Sequence, residues 1–506
     1  MAAPANGKLH WALAASGLGN LALAGLLLPW KRKATEEATR EAAAPVPDLR
    51  PPGRVPIFVM LQLDWMSDDG MSLRDEASLR LQLSKLKTAG VRGVMADVWW
   101  GLCEPQPRQY RFGAVKGLCG LLRSVGLELQ AVMSFHMCGG NVGDAVTVPL
   151  PSWALGPARE RGLLYQGEHG VVSEDCLSLS ADEEAIFDDG AGQKRTALRC
   201  YRDFIAAFAG ACGDHLGSTV GELQVGLGPC GELRYPSYML SKGWEYPGVG
   251  LVMAYDKGMV KMLEKATKVK RPPQGLPKDQ NAGPDACEFF KAAPQHAPPG
   301  QATEAFAKGE GRAFLEWYTK VLLDHGAAVM REAVAALQQV GPVDPQKLCL
   351  SAKVSGIHWY CLHPSRAAEA CAGYNNAYGA DAYFDIAQML SSVAAQAGRP
   401  VLFNFTCLEM NNWNVGMPHT LSAPEDLIAQ VRRACVAHNV PLSGENALEF
   451  NLADGDWAFD QMKKQLRGWS AGRDAMHGLT ILRLKEEFVS EASLKALREF
   501  VVSFPA

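Results

Sequence analysis

The chain has 506 residues, 48% hydrophobic and 21% charged, enough for one large domain with long loops or for more than one average domain. Its 50 Lys and Arg against 54 Asp and Glu leave a formal net charge of -4, which gives no electrostatic footprint for nucleic acid or an anionic membrane face and points to a neutral or weakly charged partner. The 13 cysteines are odd in number and never form CxxC pairs, so neither a disulfide framework nor a zinc site is expected, and a reducing compartment is.

From Leu9 to Trp30 there is no charge, and Lys31, Arg32 and Lys33 follow. The run approaches the length of a membrane span, but Gly17, Gly19, Asn20 and Gly25 weaken that reading. No acid precedes Glu36, which resembles an organelle-targeting leader, although the expected Arg and Ser enrichment is missing. Residues 1–52 are therefore read as leader and linker, with no stable membrane association, and residues 53–506 as the folded part.

Eight short apolar, β-branched or aromatic segments follow, at 57–65, 93–100, 127–135, 220–228, 347–355, 399–406, 439–446 and 478–484. Helical patterns lie between most of them. One ends at Gly90, and another opens on Pro424 with Glu425 and Asp426. Eight strands alternating with helices predict an α/β fold of the (β/α)8 TIM-barrel type, with a doubly wound open sheet as the rival. The connections at about 136–219 and 229–346 far exceed ordinary βα links and predict a lobe built from the loops after strands 3 and 4. The Pro- and Gly-rich stretch 270–300 reads as irregular loop.

In such a barrel the active site lies at the C-terminal ends of the strands. Asp97 ends the second strand, His136 follows the third and Glu232 the fourth; Lys353 and His358 flank the end of the fifth. Thr406 and Glu409 end the sixth, Glu445 and Asn446 the seventh, and Arg483 the eighth. Taken singly, Trp99 and Trp100 read as core, His136 as a satisfied structural histidine and Arg483 as a solvated or paired cation. Convergence on one rim argues for a site. Carboxylates dominate it, with no metal-ligand spacing, no GxSxG elbow and no phosphate-cradling glycine motif, so acid/base chemistry leads. Paired carboxylates can cleave an acetal, and Trp and Tyr beside them suit sugar faces. The glycines of 135–144 suggest a hinged loop that carries Asp144 over a bound substrate.

The ordered motifs DVWWG (97–101), SFHMCGGNVGD (134–144), VGLGPCGELRYPSY (225–238), KVSGIHW (353–359), FNFTCLEM (403–410), SGENAL (443–448) and LTILRL (479–484) resemble those of the beta-amylases, glycoside hydrolase family 14. The resemblance runs from about Pro56 to Phe500 and implies a (β/α)8 barrel that removes β-maltose from non-reducing ends of α-1,4-glucans such as starch, by inversion, with no cofactor and no metal. It makes Glu232 the general acid and Glu445 the general base. Asp97, His136, Asp144, Lys353, His358, Thr406, Asn446, Ala447 and Arg483 become substrate contacts. Inversion leaves room for one water, with carboxylates about 6.5–9.5 Å apart or somewhat more.

The chain departs from the family's usual residues at Tyr360 and Cys361, at Asn411 and Asn412, and at Glu449, Phe450 and Asn451. Those changes make a weak or inactive glucan-binding relative the alternative reading. Starch metabolism and the acid-poor leader imply a plastid, the chloroplast stroma, with the cytoplasm as alternative. Cys138 and Cys407, in the lid and rim motifs, are expected to react with bulky thiol reagents and so to obstruct closure.

Overall fold

The computed structural model describes residues 55–293, 304–413, 418–467 and 475–504. The expected leader and linker, and part of the loop 270–300, lie outside them. Among the described residues no helix is long and apolar enough to cross a membrane.

The eight predicted segments form eight strands: β1 (Ile57–Met60), β2 (Gly93–Trp99), β3 (Glu128–Ser134), β4 (Val220–Val225), β5 (Cys349–Val354), β6 (Val401–Phe405), β7 (Leu442–Glu445) and β8 (Leu479–Ile481). Each pairs in parallel with its neighbours in chain order. β8 closes on β1 through Ile57 opposite Leu479 and Val59 opposite Ile481, so the sheet is a closed barrel and the open-sheet rival is excluded. Every residue of β1, β2, β6, β7 and β8 is buried. Such near-continuous burial suits parallel strands covered on both faces.

Side chains two apart on a strand share a face. Thr480 of β8 donates to Gln130 Oε1 of β3 at 2.9 Å, and Gln130 Nε2 reaches Glu222 Oε2 of β4 at 2.7 Å. β8 and β3 are not neighbours, so these bonds cross the barrel and identify the inward face. On that alternation Asp97, Ser134, Lys353 and Glu445 also face inward, at the C-terminal ends of their strands.

Local chemistry sets the helices. Glu76–Thr88 starts where Asp75 accepts from Ser78 N at 3.0 Å, and chain reversal follows at Gly90, with φ 91. Pro424–His438 opens on its proline with two acids in the first turn and ends on left-handed Asn439.

The two long connections contain regular structure as well as loops. The first carries a helix at Ser152–Arg161, a hairpin of Leu164–Gln166 with Val172–Leu177, and the helix Ala197–Ala211. The second carries Lys257–Thr267 and a helix of 32 residues, Gly309–Val340, which packs against Ala197–Ala211 and Ala382–Ala397.

Candidate active site

The segment after β4 is shaped by glycine. A Cβ on Gly226 would stand 2.1 Å from Met133 O, and one on Gly228 would stand 2.6 Å from both Glu232 O and Arg234 O. Only residues without a side chain let the chain turn back on itself there. A short turn, Pro229–Gly231, follows and sets Glu232 in extended conformation beside β5. Glu232 bridges Lys353 in parallel fashion, and Leu233 N donates to Lys353 O at 2.8 Å. The glutamate thus sits on the rim although β4 ended at Val225.

Glu445 is the last residue of β7 and is 1% exposed. The Lys353 ammonium pairs with its Oε1. Burial pushes the Glu445 carboxyl up; Lys353 pulls it back, Glu232 adds to the rise and Arg483 opposes it, with a net upward direction. Lys353 keeps its proton firmly, because the two glutamates outweigh the cost of its burial. Glu232 has a different partner: Arg234 Nε donates to its Oε2 at 2.6 Å. Residue types alone did not single out Arg234, yet two positions along an extended segment share a face, which is the signal that could have found it. Its guanidinium also covers the Tyr238 ring at 4.2 Å and reaches Asn141 Oδ1 at 3.4 Å, joining the carboxylate to the loop of Asp144.

The remaining predicted residues divide by what holds them. Asp97 accepts from Ser134 Oγ at 2.7 Å, and burial raises its carboxyl despite that bond and the nearby Arg483 and Lys353. Burial lowers His136 to about 3, with Asp144 opposing and Lys353 and Arg234 adding, and lowers His358 to about 4. Both imidazoles are therefore neutral near pH 7 and suited to hydrogen bonds with uncharged hydroxyls. His136 Nδ1 is buried with no partner, whereas His358 Nδ1 pairs with Ser422 Oγ at 2.7 Å. Thr406 Oγ1 accepts from Gly356 N at 2.7 Å.

Asn446 is fully buried and acts on backbone: its amide donates to Leu448 O at 2.7 Å and accepts from Leu482 N at 2.8 Å. Ala447 N points at both oxygens of Glu409, each at 3.0 Å, and Leu448 N reaches one of them at 2.8 Å. Burial raises Glu409 to about 7 even so. Asp144 is half-buried, and its Oδ2 accepts from Gly139 N, Gly140 N and Asn141 N at 2.8, 2.9 and 2.9 Å. A cavity of about 350 Å³ separates this loop from residues 447–449 and from Leu482, Arg483 and Lys485.

One expectation is corrected, the reactivity of Cys138 and Cys407, and one reading stands: Trp99 and Trp100 are core, both buried, with indole N–H groups donating to Leu63 O and Glu104 Oε2 at 2.8 Å. Trp99 does pack edge-on against His136, at 5.3 Å between centroids. Cys138 and Cys407 are buried at 1% and 0% exposure with their thiols pushed up, so bulky reagents reach neither readily. Cys230 and Cys361 are the more accessible thiols of the site region. Among the described residues, no group of three or more His, Cys, Asp or Glu could hold a metal ion.

A closed parallel barrel with two glutamates on its C-terminal rim, one paired with a buried lysine and the other set beside that lysine's backbone, has the architecture of a glycosidase. The sequence profile of glycosyl hydrolase family 14 matches residues 58–504. Beta-amylase 1, chloroplastic, of Arabidopsis thaliana is 38% identical over 421 residues, covering 81% of this chain and 68% of the relative. Beta-amylase of Medicago sativa is 36% identical over 464 residues, covering 89% and 87%. The crystal structure of the catalytic domain of beta-amylase from Paenibacillus polymyxa superposes with a TM-score of 0.68 at 26% identity, over 88% of this chain and 98% of that one. The chain belongs to glycosyl hydrolase family 14 and is a glycosidase.

Proposed function

We propose that the protein hydrolyses α-1,4-glucosidic bonds of starch-type glucans from their non-reducing ends and releases β-maltose. The observation that carries this reading is the placement of Glu232 and Glu445 on one rim, both held by Lys353. Glu232 donates a proton to the glycosidic oxygen as the bond to the anomeric carbon breaks. Glu445 accepts a proton from water, whose oxygen attacks that carbon from the opposite face, and the configuration inverts. The neutral imidazoles of His136 and His358, with Asp97, Lys353, Thr406 and Arg483, would hold the sugar hydroxyls, while the loop of Asp144 closes the entrance. The backbone at Asn446 and Ala447 would add contacts beneath the sugar.

The name of the Arabidopsis relative, together with the acid-poor N-terminus, supports a plastid location. A fusion of residues 1–52 to a fluorescent protein tests that directly.

Incubation with soluble starch, read by reducing-sugar assay and early-time NMR, tests the reaction. β-Maltose as first product is expected; an α-anomer or a ladder of long products would refute it. Starch binding without turnover would instead identify a glucan-binding relative, the reading favoured by the altered rim at Asn411, Asn412 and Glu449.

A further inference from the structure

Four charged side chains line the cavity at the cleft mouth: Asp144, Glu449, Arg483 and Lys485. They are not equivalent. The Asp144 carboxylate is directed at three N–H groups of its own loop. Arg483 is largely buried, with Nη1 donating to Leu61 O at 3.2 Å, and its Nε lies 3.6 Å from Glu449 Oε1. The other Glu449 oxygen pairs with the Lys485 ammonium. One carboxylate therefore serves two cations on the same wall.

A guanidinium and an ammonium side by side are the usual means of holding phosphate or another oxyanion. Here Glu449 pairs with Lys485 and lies beside Arg483. We propose that Glu449 is a specificity-determining residue: it offsets one of the two positive charges of the Arg483 and Lys485 wall, so the cavity admits uncharged glucan ends and holds phosphate-bearing ones less well. The proposal rests on this cavity being the glucan entrance.

Glu449→Gln preserves size and hydrogen-bonding capacity while removing the charge. Calorimetric titration with inorganic phosphate is expected to show binding a few-fold tighter than in the wild-type protein, a difference reasonable for one charge removed at an exposed rim. Adding Lys485→Met to that variant should return the affinity to the wild-type level. Phosphate should also compete with maltotetraose more strongly in Glu449→Gln than in wild type. Equal phosphate affinity in wild type and Glu449→Gln, a gain that survives Lys485→Met, or a gain without competition against maltotetraose would each overturn the proposal. Phosphate titration needs no turnover, so an inactive protein would defeat the hydrolytic reading without deciding this one. Matching thermal unfolding of the variants confirms that a folded site is compared.

Discussion

Lys353 meets Glu445 with its side chain, and its carbonyl anchors the segment that carries Glu232. One residue thus pairs with one carboxylate and positions the other. Lys353 lowers the Glu445 carboxyl, so Lys353→Met should raise it further. A base acts only when ionised. The acidic limb of the pH profile of kcat/KM should therefore move to higher pH, with a larger loss of activity at acidic than at neutral pH. An unmoved acidic limb would show that this limb does not belong to Glu445.

The two glutamates should separate by leaving group. Glu232→Gln should nearly abolish starch hydrolysis yet retain much activity on α-maltosyl fluoride, whose fluoride departs without protonation. Glu445→Gln should fail on both substrates, because water still has to lose a proton. The opposite pattern on the fluoride would reverse the two roles.

Asp144 braces its own loop, and a second use against bound substrate is expected. Asp144→Ala removes the acceptor for three N–H groups, so amide exchange at Gly139, Gly140 and Asn141 should accelerate. Asp144→Asn retains an acceptor oxygen and should leave exchange closer to wild type, while turnover on starch still falls strongly. If the asparagine variant hydrolyses starch as wild type does, Asp144 braces the loop and makes no contribution to the bound substrate.

His325 supplies a pH dependence away from the rim. Its Nδ1 lies 2.7 Å from Asp182 Oδ2 and its Nε2 lies 3.2 Å from Leu227 O, so both ring nitrogens face acceptors. Burial by itself would lower this histidine, but the carboxylate and carbonyl outweigh it and the direction is upward. A raised pKa gives stabilisation that is complete below the unfolded value of about 6.5 and is lost as pH rises through the folded value. His325→Gln should therefore cost about 2 kcal/mol at pH 6 and distinctly less at pH 9, measured by urea unfolding. The same cost at both pH values would mean that His325 does not change charge between them.

The barrel was legible because each strand is a short apolar run between turn residues, and the number of such runs equals the number of strands in a closed ring. Carboxylates on strand ends were legible for the same reason. The roles of Trp99 and Trp100 were open, since an aromatic at a strand end packs or stacks depending on neighbours far away in sequence. Leu63 and Glu104 decided the matter. The link from Arg234 to Asn141 was hidden too, because it spans 93 positions and depends on how two loops fold together. Likewise, nothing in FHMCGGNVGD shows that Asp144 turns onto the amides just before it.

Asn446 binds the carbonyl of Leu448 and the N–H of Leu482, and so welds the loops after β7 and β8 into one piece. That side of the cavity is then tied together, and the glycine-rich residues 139–144 opposite are where a change in its width is expected. An asymmetric aperture of this kind would let a polymer end be gripped and released while the wall carrying Glu445 keeps its distance from the reacting carbon.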